Sequence, residues 1–335
     1  MTVYRDAQLT MSAAQSDNAT AATLDRRMPY TGDLEIEWQP NDQQSEQVES
    51  GAIASVSASY RPTESVTGTY NTEMKGKGMG RLLKGGFGAG ATTLVSTGLY
   101  QENFYPGTGP LFDCHTWQAV RKLLDGTDAV STFIGMCVNS MEFSMDNAGV
   151  LKLAVEFIGR TIDKVGAISK ASVSAVSANR FTFAGFSAYT GTLTEPTGTT
   201  LGSAVTALTD LRTFSIKIEN NLTDDDFRSD GSGLMAQPTV LRRTITGQFE
   251  ARNTAAIQAF RTTWIANGTT PLVVNFTAGT ADAVQFVLPA IRLTNPPTPN
   301  ADGNQPRVTN QFEVLSNGTS TQPMWCVVRT DDTAL

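Results

Sequence analysis

The chain has 335 residues, with 25 Lys and Arg against 32 Asp and Glu, a formal net charge of −7 and 40% apolar content. That length suits two modest domains, and the acidity argues against a protein that grips nucleic acid by its phosphates. Three cysteines (Cys114, Cys137, Cys326) and one histidine (His115), at no metal-ligand spacing, leave little material for a metal centre or for catalysis.

Gly, Ser, Thr and Asn are abundant and β-branched residues alternate with polar ones, which predicts a mainly β fold. Residues 1–30 are polar and without sustained period, and read as an extended arm ordered by a neighbouring subunit. Leu34-Glu35-Ile36-Glu37-Trp38 alternates strictly and predicts a strand with one buried face. Residues 40–49 form an acidic, Gln-rich loop, followed by strands over 53–60 and 65–72 with Pro62 between them. A short helix is expected over 79–84, stopped by Gly85-Gly86, and a strand over 91–101. A second short helix is expected over 117–124, capped by Asp125-Gly126. Strands over 133–145 and 150–161 join at the hairpin signal Asp146-Asn147-Ala148-Gly149, after which 162–179 is small and polar, a linker.

The second half repeats this order. Phe214-Ser215-Ile216-Lys217-Ile218 alternates as 34–38 does and leads into an acidic loop over 220–237. Ile245-Thr246-Gly247-Gln248-Phe249 matches Val66-Thr67-Gly68-Thr69-Tyr70 in type at every position. A helix over 255–266 carries Ile257, Phe260, Trp264 and Ile265 as one stripe. A strand pair over 284–293 and 308–315 closes the half, with Asn310-Gln311-Phe312-Glu313-Val314 answering Ala154-Val155-Glu156-Phe157. Matching landmarks in one order predict an internal duplication. The expected division is an arm (1–30), a first domain (31–165), a linker (166–179) and a second domain (180–335), with 101–131 an insert lacking a counterpart. Phe143, Phe157, Phe249, Trp264 and Phe312 are assigned to the core.

No chemistry survives inspection. Residues 75–90 are Gly-rich, but neither Gly76-Lys77-Gly78 nor Gly80-Arg81 is followed by the Ser or Thr that a phosphate loop requires. Asp224-Asp225-Asp226 with Asp230 lacks the spacing of a calcium loop and reads as a solvated charge run. Cys114 and His115 adjoin in sequence without an orienting third group, so they make no nucleophile pair. The cysteines read as buried free thiols. No enzyme, cofactor or metal is expected. No apolar run is long enough for a membrane span or an export signal.

Three stretches carry a resemblance. Phe133-Ile134-Gly135-Met136-Cys137-Val138 through Phe143, with the return strand ending Glu156-Phe157-Ile158-Gly159-Arg160, is the first. The second runs from Phe214 to Asn221 and, past the polar loop, resumes at Arg242-Arg243-Thr244-Ile245-Thr246-Gly247. The third is Trp325-Cys326-Val327-Val328-Arg329. Together they resemble the tail tube proteins of siphophages, from about Leu34 to the C-terminus.

The resemblance implies two tandem tail-tube β-sandwich or barrel domains, each flanked by a short α-helix. Their inner sheets would join those of neighbouring copies in one β-barrel around the tail lumen. Relatives with one such domain form hexameric rings, so a tandem chain is expected to form trimers of pseudo-sixfold symmetry. The implied partners are further copies of the chain, other tail proteins at the tube ends, and double-stranded DNA passing without specific binding. The implied location is the virion tail, assembled in the host cytoplasm. Alternatives are a β-sandwich that decorates a capsid or binds a glycan, and a tail-terminator or baseplate protein on the same domain.

Because apolar residues of each strand must face the core, the opposite set is expected to line the lumen. That set is Glu35, Glu37, Thr67, Thr69, Glu142 and Glu156, with Ser215, Lys217, Gln248, Glu250, Gln311 and Glu313. The acidic loops, carrying Asp42, Glu46 and Glu49 and then Asp224, Asp225, Asp226 and Asp230, are expected to order against the adjacent ring.

Overall fold

A computed structural model describes residues 7–32, 35–44, 59–163, 168–279, 281–300 and 306–332. The first correction is at the N-terminus. Strands β1 (Gln8–Ala14) and β2 (Leu24–Met28) pair with each other where an arm was expected. Leu9, Met11 and Met28 are buried in the main core, so this segment is ordered by its own chain. β3 (Glu35–Gln44) buries Ile36 and exposes Glu35 and Glu37, and it stays a strand paired with β4 to Gln44, so residues 40–44 of the expected loop are corrected to strand. The rest of that loop, with Glu46 and Glu49, lies outside the described residues, as does most of the expected strand 53–60.

β4 (Ser59–Glu73) runs unbroken through Pro62, which falls where the ladder to β3 shifts register between Asn41 and Gln43. Proline is tolerated at such a break because no ladder hydrogen bond is lost. Helix α1 (Gly80–Phe87) runs through Gly85 and Gly86 and ends at Gly88, which takes φ +82° and donates its N–H to the Lys84 carbonyl. The internal glycines serve packing. A Cβ at Gly86 would stand 2.1 Å from the Met141 sulfur.

β5 (Gly88–Ser96) and β6 (Leu99–Pro106) form a hairpin. β7 (His115–Lys122) replaces the expected second helix. Residues 115–120 are all buried, so both faces of this strand are covered and no two-residue alternation marks it. β8 (Asp128–Met145) and β9 (Leu151–Gly159) form the expected hairpin, with Ala148 at φ +62°, and β10 (Thr161–Ile162) follows. The expected linker is tied down in part. Gln118 accepts from the Ala171 N–H and donates to the Ser169 carbonyl, and Phe181 is fully buried.

In the second half, β11 (Phe186–Thr194) and β12 (Ser203–Ala207) precede β13 (Leu211–Glu219) and β14 (Thr244–Arg252). Helix α2 (Ala255–Ile265) follows, then β15 (Thr270–Ala278), β16 (Asp282–Leu293), β17 (Arg307–Val314) and β18 (Trp325–Thr330). Only Ile257 and Phe260 of the α2 stripe are buried. Trp264 is 37% and Ile265 68% exposed, so the core assignment of Trp264 is corrected.

All strand ladders are antiparallel, and one scheme of pairing occurs in both halves. β1 pairs β2 and β7, β3 pairs β4, β4 pairs β9, and β8 pairs β7, β9 and β10. Likewise β11 pairs β12 and β15, β13 pairs β14, β14 pairs β17, and β16 pairs β15, β17 and β18. The segment without a counterpart is therefore the β5–β6 hairpin, which docks on β18, and not 101–131, since β7 is answered by β15.

β8 and β16 each pass from one layer to the other. Gly135, at φ +72°, marks the bend in β8, where a Cβ would lie 2.6 Å from the Asn18 carbonyl oxygen. One layer of the resulting sandwich is the long sheet β3-β4-β9-β8-β13-β14-β17-β16, joined at its middle by β8 and β13. Its inner face and the helices enclose a single core in which Phe143 of the first half stacks edge-on against Phe286 of the second, centroids 4.8 Å apart.

The thiol expectation holds for Cys326, which is free and buried. Cys114 and Cys137 are instead joined by a disulfide, with Cα atoms 4.6 Å apart, and lie in a satellite cluster with Ile158, Leu222 and Met235.

Candidate functional site

The outer face of the long sheet is polar from end to end, because each of its strands spends one set of alternate residues on the core. The ladder registers show which side chains share it. One row across the strands is Glu35, Thr69, Glu156, Ser140, Glu219 and Thr244. The next is Asn71, Ala154, Glu142, Lys217, Thr246, Glu313 and Arg292. A third is Glu73, Lys152, Ser144, Ser215, Gln248 and Gln311. Glu37 lies opposite Thr67, and Thr213 opposite Glu250. Every residue expected from alternation to line a lumen thus stands on this one face.

The expected set did not include Glu73, Lys152, Glu219, Arg252, Arg292 and Arg307, which share the face by the same ladder registers. Glu73, Glu219, Arg252 and Arg307 lie just past the expected strand ends, whereas Lys152 and Arg292 fall inside expected strands on the polar set. The opposite face supplies core: Ile36, Val66, Tyr70, Val155, Phe157, Met141, Phe143, Ile216, Phe249 and Phe312 are at most 2% exposed.

Acidic side chains outnumber basic ones here, and the basic ones are largely held by acids. Lys217 Nζ lies 2.7 Å from Glu219, which raises the lysine pKa and lowers that of the glutamate. Arg292 lies 3.5 Å from Glu313, and Arg307 3.3 Å from Glu250. Glu35 accepts a hydrogen bond from Thr69 at 2.7 Å, and Glu156 one from Ser140 at 2.7 Å. The face as a whole carries more acidic than basic side chains, most of the charges being paired and solvent-exposed.

The described end of the β3–β4 ribbon and the loop between β13 and β14 meet at one end of this sheet. The Glu64 N–H donates to the Gly233 carbonyl at 3.2 Å, beside the β3–β4 ribbon whose Asp42 pairs with Arg61 at 2.6 Å. The loop between β13 and β14 buries more than its composition suggests. Leu222 and Met235 pack on the disulfide cluster, and Asn220 is fully buried, donating to the Gly86 and Val138 carbonyls and accepting from Arg243 Nε. Burial draws the Arg243 pKa down to about 10, and its guanidinium sits 4.8 Å over the Phe112 ring. The premise that this loop cannot order alone is corrected. Its tip remains outside: Asp224, Asp225 and Asp230 are exposed, and Asp226 pairs with Arg228 at 2.8 Å.

Among the described residues no cluster of His, Cys, Asp or Glu could hold a metal, and no helix is long and apolar enough to cross a membrane. His115 is buried beside Gly85 and its pKa is lowered to about 4 by desolvation. No curated protein matches the chain. A family model described as phage tail tube protein matches residues 39–315, which takes in the whole of the long sheet except the start of β3. The chain belongs to the phage tail tube protein family, as a structural component of the virion tail.

Proposed function

We propose that the chain forms the tube of a siphophage tail, as stacked trimeric rings whose lumen is the polar face described above. The observation that carries this reading is the continuity of that face across two halves with the same strand pairing, the second entering directly beside the first through β8 and β13. We read the halves as tandem tube domains related by duplication, the first beginning at β1 and not at residue 31. Three chains would supply a barrel of about 24 strands. At about 4.8 Å spacing and roughly 40° tilt, the wall is about 48 Å across between backbones. Side chains of about 5 Å on each side leave roughly 38 Å, wide enough for duplex DNA. Closing the sheet also removes two open edges that would otherwise template aggregation.

The shallow, charge-paired surface favours transit over specific binding, and the exposed acidic tip of the loop between β13 and β14, beside the β3–β4 ribbon, suits contact with the next ring. Assembly would take place in the host cytoplasm, with other tail proteins at the tube ends. Electron cryomicroscopy of the purified, concentrated protein tests the reading. The expected result is tubes with three chains per ring and Glu37, Glu156 and Gln248 facing the channel. Six chains per ring, or those side chains on the outer wall, overturns it.

A further inference from the structure

The loop between β13 and β14 has two seats. Its start rests on β8, where the Asn220 N–H donates to the Asn139 carbonyl at 2.8 Å and the Leu222 N–H to Asn139 Oδ1 at 3.0 Å. Its return rests on residues 110–112. There the Val240 N–H donates to the Pro110 carbonyl at 2.8 Å and Gln237 Nε2 to the Phe112 carbonyl at 2.9 Å, while the Arg243 guanidinium covers the Phe112 ring. Cys114 follows the second seat by two residues and Cys137 precedes the first by two, so their disulfide ties one seat to the other.

The sulfurs are shielded by the loop. Cys114 is 3% and Cys137 1% exposed, and the loop residues Leu222, Met235 and Val240 pack against them together with Ile158. A reagent in solution therefore reaches the pair when the loop lifts. Each sulfur also has a main-chain acceptor within reach of a thiol. The Phe112 carbonyl is 3.8 Å from Cys114 Sγ, and the Gly135 carbonyl 3.7 Å from Cys137 Sγ. The fold thus accommodates the reduced pair as well, since neither S–H would be buried without a partner. The two states differ at the loop. The carbonyl that takes the Cys114 S–H is the one that holds Gln237. Two thiols also fill more of the cluster than a bonded pair of sulfurs, and a close-packed interior passes that volume on to its neighbours, here the anchors of the loop.

We propose that Cys114 and Cys137 form a reversible redox site that sets how firmly the β13–β14 loop and its acidic tip are held, a dithiol in a reducing cytoplasm and a disulfide in the released virion. The inference goes beyond the tube reading and stands on the single chain. Cytoplasmic thiols are kept reduced, whereas the surface of a released particle meets an oxidising medium. The oxidant is a small disulfide of the glutathione class. One cysteine thiolate attacks a sulfur of that disulfide and expels a thiolate, and the second cysteine thiolate then attacks the mixed disulfide and expels the other. Two protein thiols are oxidised, the small disulfide is reduced to two thiols, and the two protons pass to them. The bond, across 23 residues of chain, fixes the two seats relative to each other, so the loop is firm when it is closed and loosens when it is open.

The test is amide hydrogen exchange on the full-length chain in two portions, one held reduced by a phosphine and the other closed with glutathione disulfide. Alkylation and mass spectrometry fix the redox state of each. The amides of Leu222, Thr223, Ala236 and Val240, all hydrogen-bonded in the loop, should exchange about tenfold faster or more when the pair is reduced, with those of β16 unchanged. A second measurement reads the cover: Met235→Ala should speed reduction of the disulfide by the phosphine about tenfold or more. Should that variant fail to fold, the exchange experiment on the unaltered chain decides alone. Equal loop exchange in the two portions, a pair that stays dithiol under glutathione disulfide, or a folded Met235→Ala chain reduced at the parental rate overturns the site. Each of these results leaves the tube reading standing, because tubes are scored separately by microscopy.

Discussion

Glu102, on β6, is a buried carboxylate at 2% exposure with Asp332 and Arg26 nearby. Burial first, and then the Asp332 charge, raises its pKa from 4.5 to about 8. Between those values the folded chain holds a proton that the unfolded chain has released. The stability it contributes is therefore complete below pH 4.5 and drains away as pH rises through 8. Glu102→Gln, which mimics the neutral acid, should melt close to the parent at pH 5 and above it at pH 8.5. A melting difference that does not change with pH would show that Glu102 is not the titrating group. Nothing in the sequence around Gln101-Glu102-Asn103 distinguishes this acid from the exposed ones, because its burial comes from β18, more than two hundred residues away. Gly68 and Gly247 were legible by contrast. They sit at matching points of matching phrases, and in both a Cβ would strike the facing strand, at 2.9 Å from Ile36 Cα and 2.6 Å from the Ser215 carbonyl oxygen.

Among elements, those with one wet face were readable and those with two dry faces were not. β9, β13 and β17 alternate and were placed within a few residues, and β3 was found at its start but runs to Gln44, past its expected end. β7 buries His115 to Val120 without a break, and its apolar spacing imitates a helix. β1 carries Leu9 and Met11 in alternation, but Thr10 and Ser12 are buried too, so polarity there did not mean exposure. The loop between β13 and β14 failed for a related reason, since its two apolar anchors, Leu222 and Met235, are separated by a charged tip. That division of labour sets an expectation. Asp224, Asp225 and Asp230 touch no core, so changing all three to Asn should move stability by no more than about 0.5 kcal/mol per site. If the tips join ring to ring, the same variant should give tubes markedly shorter than the parent under electron microscopy. Tubes of parental length would assign the acidic tip another role.

For the whole molecule, the proposed channel raises the question of why a face that DNA would pass should be acidic. A basic wall would neutralise phosphates and release counterions at every ring, giving adhesion that strengthens steeply as salt falls. A wall of carboxylates, many already paired with Lys217, Arg292 or Arg307, repels weakly, and at physiological ionic strength only within about 8 Å. In the proposed lumen of about 38 Å, that reach would keep a duplex off the wall without hindering passage. Glu250 is unsuited to testing this, because Arg307 and Arg212 lie 3.3 and 3.7 Å from it and a lysine there would disturb the fold. Glu35, Glu37 and Glu156 are exposed and make only hydroxyl contacts or none in the ladder. Changing these three to lysine shifts the face by about six charge units per chain, in every ring. Assembly should survive, since none of them packs in the core. Phage carrying the variant tube should eject DNA more slowly than the parent, with the deficit largest at low salt and shrinking as salt is added. Ejection at the parental rate across that salt range would mean that the charge of this face does not govern transit.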